Sequence, residues 1–250
     1  MEDKVSIIIP VHNAGNYIED TVRSVMDQTF SGWELILVEN GSTDDSKEKL
    51  EKIGTLDTRI KVMSLTEASS AAKARNAGIK EAKGRYITFL DADDLWRENK
   101  LERELAFMKD KNAAFVFTGY EFGDSDAKPT GKTVRVPETL DHKGAMKNTT
   151  IFTSTVMFDT NLVKKELIDM PDIKSEDTAL WWKILREGFT AYGLDENLVI
   201  YRRPNKSLSS NKFEAIKRIW YLYRKWEKLS FVKSAWYFVN WAIRAVGRRI

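Results

Sequence analysis

The chain opens on an apolar run, Val5–Pro10, with three β-branched residues in series at Ile7–Ile9. Such a run suits a strand buried on both faces, as in a parallel sheet. Helical spacing follows in Tyr17–Met26, where Tyr17, Ile18, Val22 and Val25 fall on one side. Trp33–Glu39 reads as a second buried strand. Ser42-Thr-Asp-Asp45 then supplies an N-cap and an acidic first turn for a helix to about Ile53. Ile60–Leu65 predicts a third strand, and Ser69–Ala82 an alanine-rich helix closed by Gly84. Tyr86–Leu90 predicts a fourth strand with a helix over Leu95–Asp110 behind it, and Ala114–Thr118 a fifth. From Gly119 to Thr150 the pattern weakens into loops and short strands. Ser154–Phe158 is strand-like again, and Glu176–Glu187 is helical, with Trp181, Trp182 and Leu185 as bulky anchors.

Strands alternating with helices of this length indicate βαβ units, an α/β fold with a mostly parallel central sheet. Ligands of such sheets bind outside the carboxyl ends of the strands. Asn40, Asp91 and Asp93 fall at such ends, so separate segments converge on one edge.

The strongest chemical signal is Phe89-Leu-Asp-Ala-Asp-Asp94, with three carboxylates in four positions at a strand end. Like charges packed there raise the free energy unless a cation or a hydrogen-bonding ligand neutralises them. Mg²⁺ and Mn²⁺ take oxygen ligands and bridge one or two carboxylates to substrate phosphates. A solvated acidic turn, with Asp93 or Asp94 capping the next helix, fits the local sequence equally well.

Composition excludes several classes. The 250 residues suffice for one large α/β domain or two small ones, and 42% hydrophobic with 31% charged residues is ordinary for a soluble globular chain. A net charge of +3 is too small to argue for nucleic acid, and no nucleic-acid partner is expected. There is no cysteine, which removes disulfides, thiolate metal sites and a cysteine nucleophile. The two histidines, His12 and His142, are too few for a histidine-rich metal cluster. Met1-Glu-Asp-Lys4 is acidic and runs straight into a strand, so no signal peptide is expected. No stretch reaches the ~18–20 uncharged apolar residues of a spanning helix. The first two strand ends carry neither G-x-G-x-x-G nor G-x-x-x-x-G-K-[ST], which weakens dinucleotide and P-loop readings.

Seven segments in series resemble the family 2 glycosyltransferases of GT-A fold. They are Val5-Ser-Ile-Ile-Ile-Pro-Val-His-Asn13, Gln28-Thr-Phe30, Glu34-Leu-Ile-Leu-Val-Glu-Asn-Gly-Ser-Thr-Asp44, Ala74-Arg-Asn-Ala-Gly78, Gly84–Asp94, Ser175-Glu-Asp177 and Tyr201–Ser209. The resemblance covers about residues 4–210, in the family's order and spacing. It implies a nucleotide-binding GT-A domain over 1–210, with a nucleotide-sugar half (1–118), an acceptor half (119–210) and a helical C-terminal extension over 211–250.

The resemblance further implies an inverting transfer of a sugar from a nucleoside diphosphate donor, UDP by preference, to a hydroxyl of a saccharide or lipid-linked saccharide. Mn²⁺ or Mg²⁺ would serve as cofactor, with Asp93 as direct ligand. Asp91, beside Ala92, would approach the ribose or the metal. Pro10, Val11 and Asn13 would line the nucleobase pocket. Glu39-Asn40 replaces the family's usual Asp-Asp pair, a departure that loosens the expectation of uracil. Lys73 and Arg75 fall where the family places a base- or phosphate-contacting cation. Asp177 matches the catalytic base, with Glu176 beside it, and Trp181 could wall an acceptor pocket. Arg202, Arg203 and Ser207 match a loop near the donor diphosphate, where arginine has a reason in bidentate phosphate contact.

The tail is basic, with ten Lys or Arg and two Glu from Lys212 to Ile250. Phe213–Leu229 and Phe231–Val246 predict amphipathic helices. Residues 213–250 can lie on an anionic membrane surface, pack on the catalytic domain or form a homodimer seam. The expected setting is cytoplasmic, peripheral at the inner face of the cytoplasmic membrane, in surface polysaccharide assembly. Two rivals stand beside this reading. A sugar-phosphate nucleotidyltransferase would want a glycine-rich basic loop that Pro10–Gly15 does not supply. A sugar-nucleotide-binding or scaffold subunit without activity would not need Asp91, Asp93 and Asp177.

Overall fold

A computed structural model of the protein describes residues 3–203 and 212–247. The first half follows the expected alternation: β1 (Val5–Val11), α1 (Ile18–Met26), β2 (Trp33–Glu39), α2 (Ser46–Ile53), β3 (Ile60–Ser64), α3 (Ala71–Glu81) and β4 (Tyr86–Phe89). Strands β3, β2, β1 and β4 lie side by side and run parallel. Successive residues of β1 point to opposite faces, as pleating requires. Ile8 enters one core with Ile36, Ile87 and Phe89, whereas Ile7 and Ile9 enter the other with Leu35 and Leu37. The sheet is therefore covered on both faces, which explains the unbroken apolar runs. The alanine-rich α3 sits tightly on β1. A Cβ at Gly78 would come within 2.4 Å of the Ile8 side chain, so only glycine permits this approach.

Beyond β4 the sheet departs from the expected mostly parallel pattern. The helix predicted from Leu95 starts only at Lys100. Leu95–Trp96 instead form a short strand, β5, followed by α4 (Lys100–Asp110). Strand β6 (Phe115–Gly123) runs across the expected boundary at residue 118, and β9 (Val156–Asp159) lies antiparallel between β4 and β6. The weakly patterned region holds β7 (Pro129–Val134), β8 (Thr139–Leu140) and α5 (His142–Lys147). After α6 (Lys165–Ile168) and α7 (Glu176–Arg186) comes β10 (Ala191–Arg202), a long strand that the apolar pattern did not reveal. It pairs parallel with β6 and antiparallel with β5, so the sheet is mixed in this half. Leu194-Asp-Glu-Asn197 interrupts its hydrophobic run where the register shifts.

The extension forms α8 (Lys212–Tyr221), a π-helical turn (Leu222–Trp226) and α9 (Phe231–Gly247). It is joined to the domain core. Leu222 and Tyr223 are buried, and the Tyr223 ring stacks on Trp182 with centroids 5.3 Å apart. The Tyr223 hydroxyl donates to the Met146 carbonyl at 2.6 Å, and Trp241 Nε1 donates to Thr149 Oγ1 at 3.0 Å. Stacked aromatics contribute about 0.5–1.5 kcal/mol beyond their burial.

Candidate active site

Three loops meet at the carboxyl ends of β1, β2 and β4. Asn13, after β1, adopts a positive φ of 52°, and its Oδ1 accepts from the Thr43 amide at 2.8 Å in the loop after β2. Gly41 (φ 69°) makes the β2 turn, where a Cβ would stand 2.5 Å from Ala68. Pro10 is half-buried. The Val11 side chain is core, and its carbonyl accepts from the Asn40 amide at 2.9 Å. The Asn40 amide is committed at both ends: Nδ2 donates to the Ser69 carbonyl at 2.8 Å, and Oδ1 accepts from the Ser69 amide at 2.8 Å. Glu39, also buried, accepts from the Ser42 amide at 2.5 Å.

The acidic loop after β4 is held from beneath. Ser154, missed in the sequence because it sits in a plain strand-like run, donates its hydroxyl to Asp94 Oδ2 at 2.6 Å. It also accepts from the Asp91 amide at 3.1 Å. Trp96 Nε1 fixes the Ser154 carbonyl at 2.8 Å. Asp94 is fully buried, and burial together with Asp91 and Asp93 pushes its carboxyl well above the usual range. Asp94 is thus a structural member of the cluster. Asp93 faces outward more, yet burial and the neighbouring Asp91 push it up to about 6, with Arg202 opposing them.

Arg75 joins this loop to the second half of the chain. Its Nη2 donates to Asp91 Oδ1 at 2.6 Å and its Nη1 to Glu176 Oε1 at 3.0 Å. The guanidinium is buried, so it is not a surface helix charge. Burial and the adjacent Asp177 raise the Glu176 carboxyl above its usual range, with Arg75 opposing them. Ser175, which precedes α7, holds a left-handed φ of 61°, strained for a residue with a side chain. That turn brings Glu176 and Asp177 to the helix start. Asp177 Oδ1 accepts from the Thr178 amide at 2.6 Å, and Oδ2 accepts from the Thr153 hydroxyl at 3.2 Å.

The remaining expected site residues are Trp181, Arg202, Lys73, Arg203 and Ser207. Trp181 is 2% exposed and packs on Phe115 and Phe158, so it belongs to the core and walls no open acceptor pocket. Arg202 is 3% exposed. Its Nε donates to the Asp93 carbonyl at 2.8 Å and its Nη1 to the Ser125 carbonyl at 3.0 Å, so it holds the acidic loop from within instead of reaching out from a loop. Lys73 is exposed and pairs with Asp172 at 3.2 Å. Arg203 is exposed, its guanidinium 4.2 Å from the Phe122 ring. Ser207 lies outside the described residues.

Among the described residues no three His, Cys, Asp or Glu side chains are arranged to hold a metal by themselves. The pair Asp91 and Asp93 suits a hard divalent cation that takes its remaining oxygens from phosphate and water. The charge stress on Asp93 is what such an ion would relieve. A pocket of about 660 Å³ lies elsewhere, between α1 and β5, and none of the residues discussed as site candidates line it.

The overall architecture recurs in solved glycosyltransferases. Staphylococcus aureus TarS, residues 1–349 with UDP-GlcNAc, superposes with a TM-score of 0.71 at 19% identity, over 96% of this chain and 71% of that one. The mannosyltransferase PcManGT of Pyrobaculum calidifontis, with GDP-Man and Mn²⁺, superposes with a TM-score of 0.72 at 17% identity, over 96% and 73%. The fold is that of a GT-A glycosyltransferase. Residues 6–169 match the profile of Glycosyl transferase family 2, and the chain belongs to that family. TuaG of Bacillus subtilis, a glycosyltransferase assigned to teichuronic acid biosynthesis, is 46% identical over 98% of this chain and 97% of its own. WfgD of Escherichia coli, a UDP-Glc:α-D-GlcNAc-diphosphoundecaprenol β-1,3-glucosyltransferase, is 36% identical over 86% and 83%.

Proposed function

We propose that this glycosyltransferase moves a sugar, with inversion, from a UDP-type donor to a hydroxyl of a lipid-linked saccharide during assembly of a cell-surface polysaccharide. The observation that carries the reading is the double ion pair of Arg75 with Asp91 and Glu176. It ties the acidic donor loop to the start of α7, so that a donor and an acceptor can meet there. The names of TuaG and WfgD support the polysaccharide setting and the lipid-linked acceptor. A lipid-linked acceptor fits work at the inner face of the cytoplasmic membrane. No described helix is long and apolar enough to cross a membrane, which suits peripheral attachment.

Asp93 is the residue that would hold Mg²⁺ or Mn²⁺, with Asp91 alongside. When bound, the ion supplies Lewis-acid neutralisation of the leaving diphosphate. Asp177 takes the proton of the attacking hydroxyl. Its Oδ1 is tied to the Thr178 amide, so Oδ2, shared only with the Thr153 hydroxyl, is the accepting atom. Arg75 keeps Glu176 from competing, since that carboxylate is engaged in an ion pair. Arg203, exposed next to Arg202, is available to a phosphate.

The test is release of nucleoside diphosphate from a panel of UDP- and GDP-sugars, with Mn²⁺, with Mg²⁺ and with excess chelator. Cation-dependent release of UDP from one sugar nucleotide is the expected result. Release from GDP donors alone would overturn the choice of UDP, and undiminished release in chelator would overturn the metal.

A further inference from the structure

Helix α9 carries an apolar stripe that the described part of the chain leaves uncovered. Val232, Trp236, Val239 and Ile243 recur at intervals of four, three and four residues, so they line one helical face. They are 54–77% exposed. The opposite face turns inward, with Ser234 buried and Trp241 bonded to Thr149. Single exposed apolar residues need no explanation, but a continuous stripe along a 17-residue helix does.

The charges beside the stripe say what covers it. Lys233 and Arg244 are exposed on α9, and Lys225 and Lys228 are exposed in the segment leading into it. From Lys228 to Ile250 there are five Lys or Arg and no Asp or Glu. A two-fold contact between copies would set the same surface against itself and bring these like charges together. An anionic bilayer presents the complementary charge. A helix with Trp and aliphatic residues on one face and Lys or Arg beside them lies in the headgroup region of such a surface.

We propose that α9 docks the protein on an anionic phospholipid bilayer, inserting Val232, Trp236, Val239 and Ile243 and setting Lys233 and Arg244 against the headgroups. The docking draws its purpose from the lipid-linked acceptor proposed above, but it needs no acceptor to occur. The full chain is sedimented with phosphatidylcholine vesicles, with and without phosphatidylglycerol, and Trp emission is recorded. Binding to the anionic vesicles with a blue shift is expected, weakening as salt is raised. Trp236→Ser with Ile243→Ser should lower partitioning about tenfold or more. Lys233→Glu with Arg244→Glu should lower it by at least about fivefold per residue at low salt. Neither pair should alter donor hydrolysis in solution. No binding by the native chain, or binding unchanged in the Trp236/Ile243 variant, would overturn the proposal. So would a native dimer that the same variant converts to monomer, because a second copy would then own the stripe. Loss of donor hydrolysis in the native chain with vesicle binding intact would count against the transferase reading and leave the docking in place.

Discussion

Arg202 Nε donates to the main-chain carbonyl of Asp93 across 2.8 Å, so an arginine at the end of the last strand sets the backbone of the acidic loop. The side chain is buried, and its guanidinium also lies 4.8 Å from the Tyr17 ring. Arg202→Lys keeps the charge but not the planar fork that reaches Asp93 and Ser125 together. The expected outcome is a ~10–100-fold weaker requirement-fulfilling affinity for Mn²⁺ and a fall in kcat, since partners behind a ligand act on that scale. Metal titration of donor hydrolysis separates this from a plain loss of fold, which circular dichroism monitors.

Asp93→Asn should reduce donor turnover by at least ~10²-fold while the melting temperature holds or rises, because the change removes a carboxylate stressed by burial and by Asp91. Turnover comparable to the native rate would remove Asp93 from the metal role.

Asp177→Asn preserves shape and removes the proton acceptor. We expect kcat for transfer to fall ~10²–10⁴-fold with the donor dissociation constant within about threefold of native. Single-turnover transfer and donor-binding calorimetry read the two quantities separately. If donor affinity collapses while the chemical step survives, Asp177 is a binding residue.

The buried ion pair of Lys100 and Glu104 in α4 predicts a pH dependence of stability. Both side chains are fully buried, with the Lys100 ammonium 4.1 Å from the Trp96 ring. Burial pushes Glu104 up to about 7, with Lys100 opposing. A carboxyl raised in the folded state contributes stability that is complete below its ordinary value and is lost as pH climbs through about 7. Burial lowers Lys100, whose contribution is lost as pH falls from the alkaline side. Lys100→Met with Glu104→Leu should therefore flatten the stability curve between about pH 4.5 and 7 and be neutral or stabilising by ~1–4 kcal/mol at pH 7. Urea titrations across that range check it. An unchanged slope would mean that the pair does not titrate there.

Much of the donor half was legible in the sequence because its signals are local. Val5–Val11 and Trp33–Glu39 are apolar throughout, as strands covered on both sides must be, and the three aspartates of the β4 loop announce themselves by proximity. What the sequence hid depends on contacts between distant residues. Arg75 reads in the sequence as a base- or phosphate-contacting cation, and its pairing with Asp91 and Glu176 appears only in the fold. Ser154 lies 60 positions from Asp94, its acceptor. Trp181 and Trp182 share one helix, and periodicity alone could not say that both are core. Strand β10 escaped because polar residues at its register shift masked the alternation, and β5 because two residues are too few to leave a pattern.

The pairing of β10 with β5 has a consequence for the order in which the molecule can be completed. Trp96 faces Val199, more than a hundred residues later, and Asp93 waits for Arg202. A chain leaving the ribosome therefore has its entire donor-side sequence in hand long before the acidic loop can settle. Contacts of such long range close late and slow folding. In a ribosome-bound nascent chain, β1 to β4 should already resist protease while the loop at Asp91–Asp94 remains open to cutting until the strand ending at Arg202 has emerged.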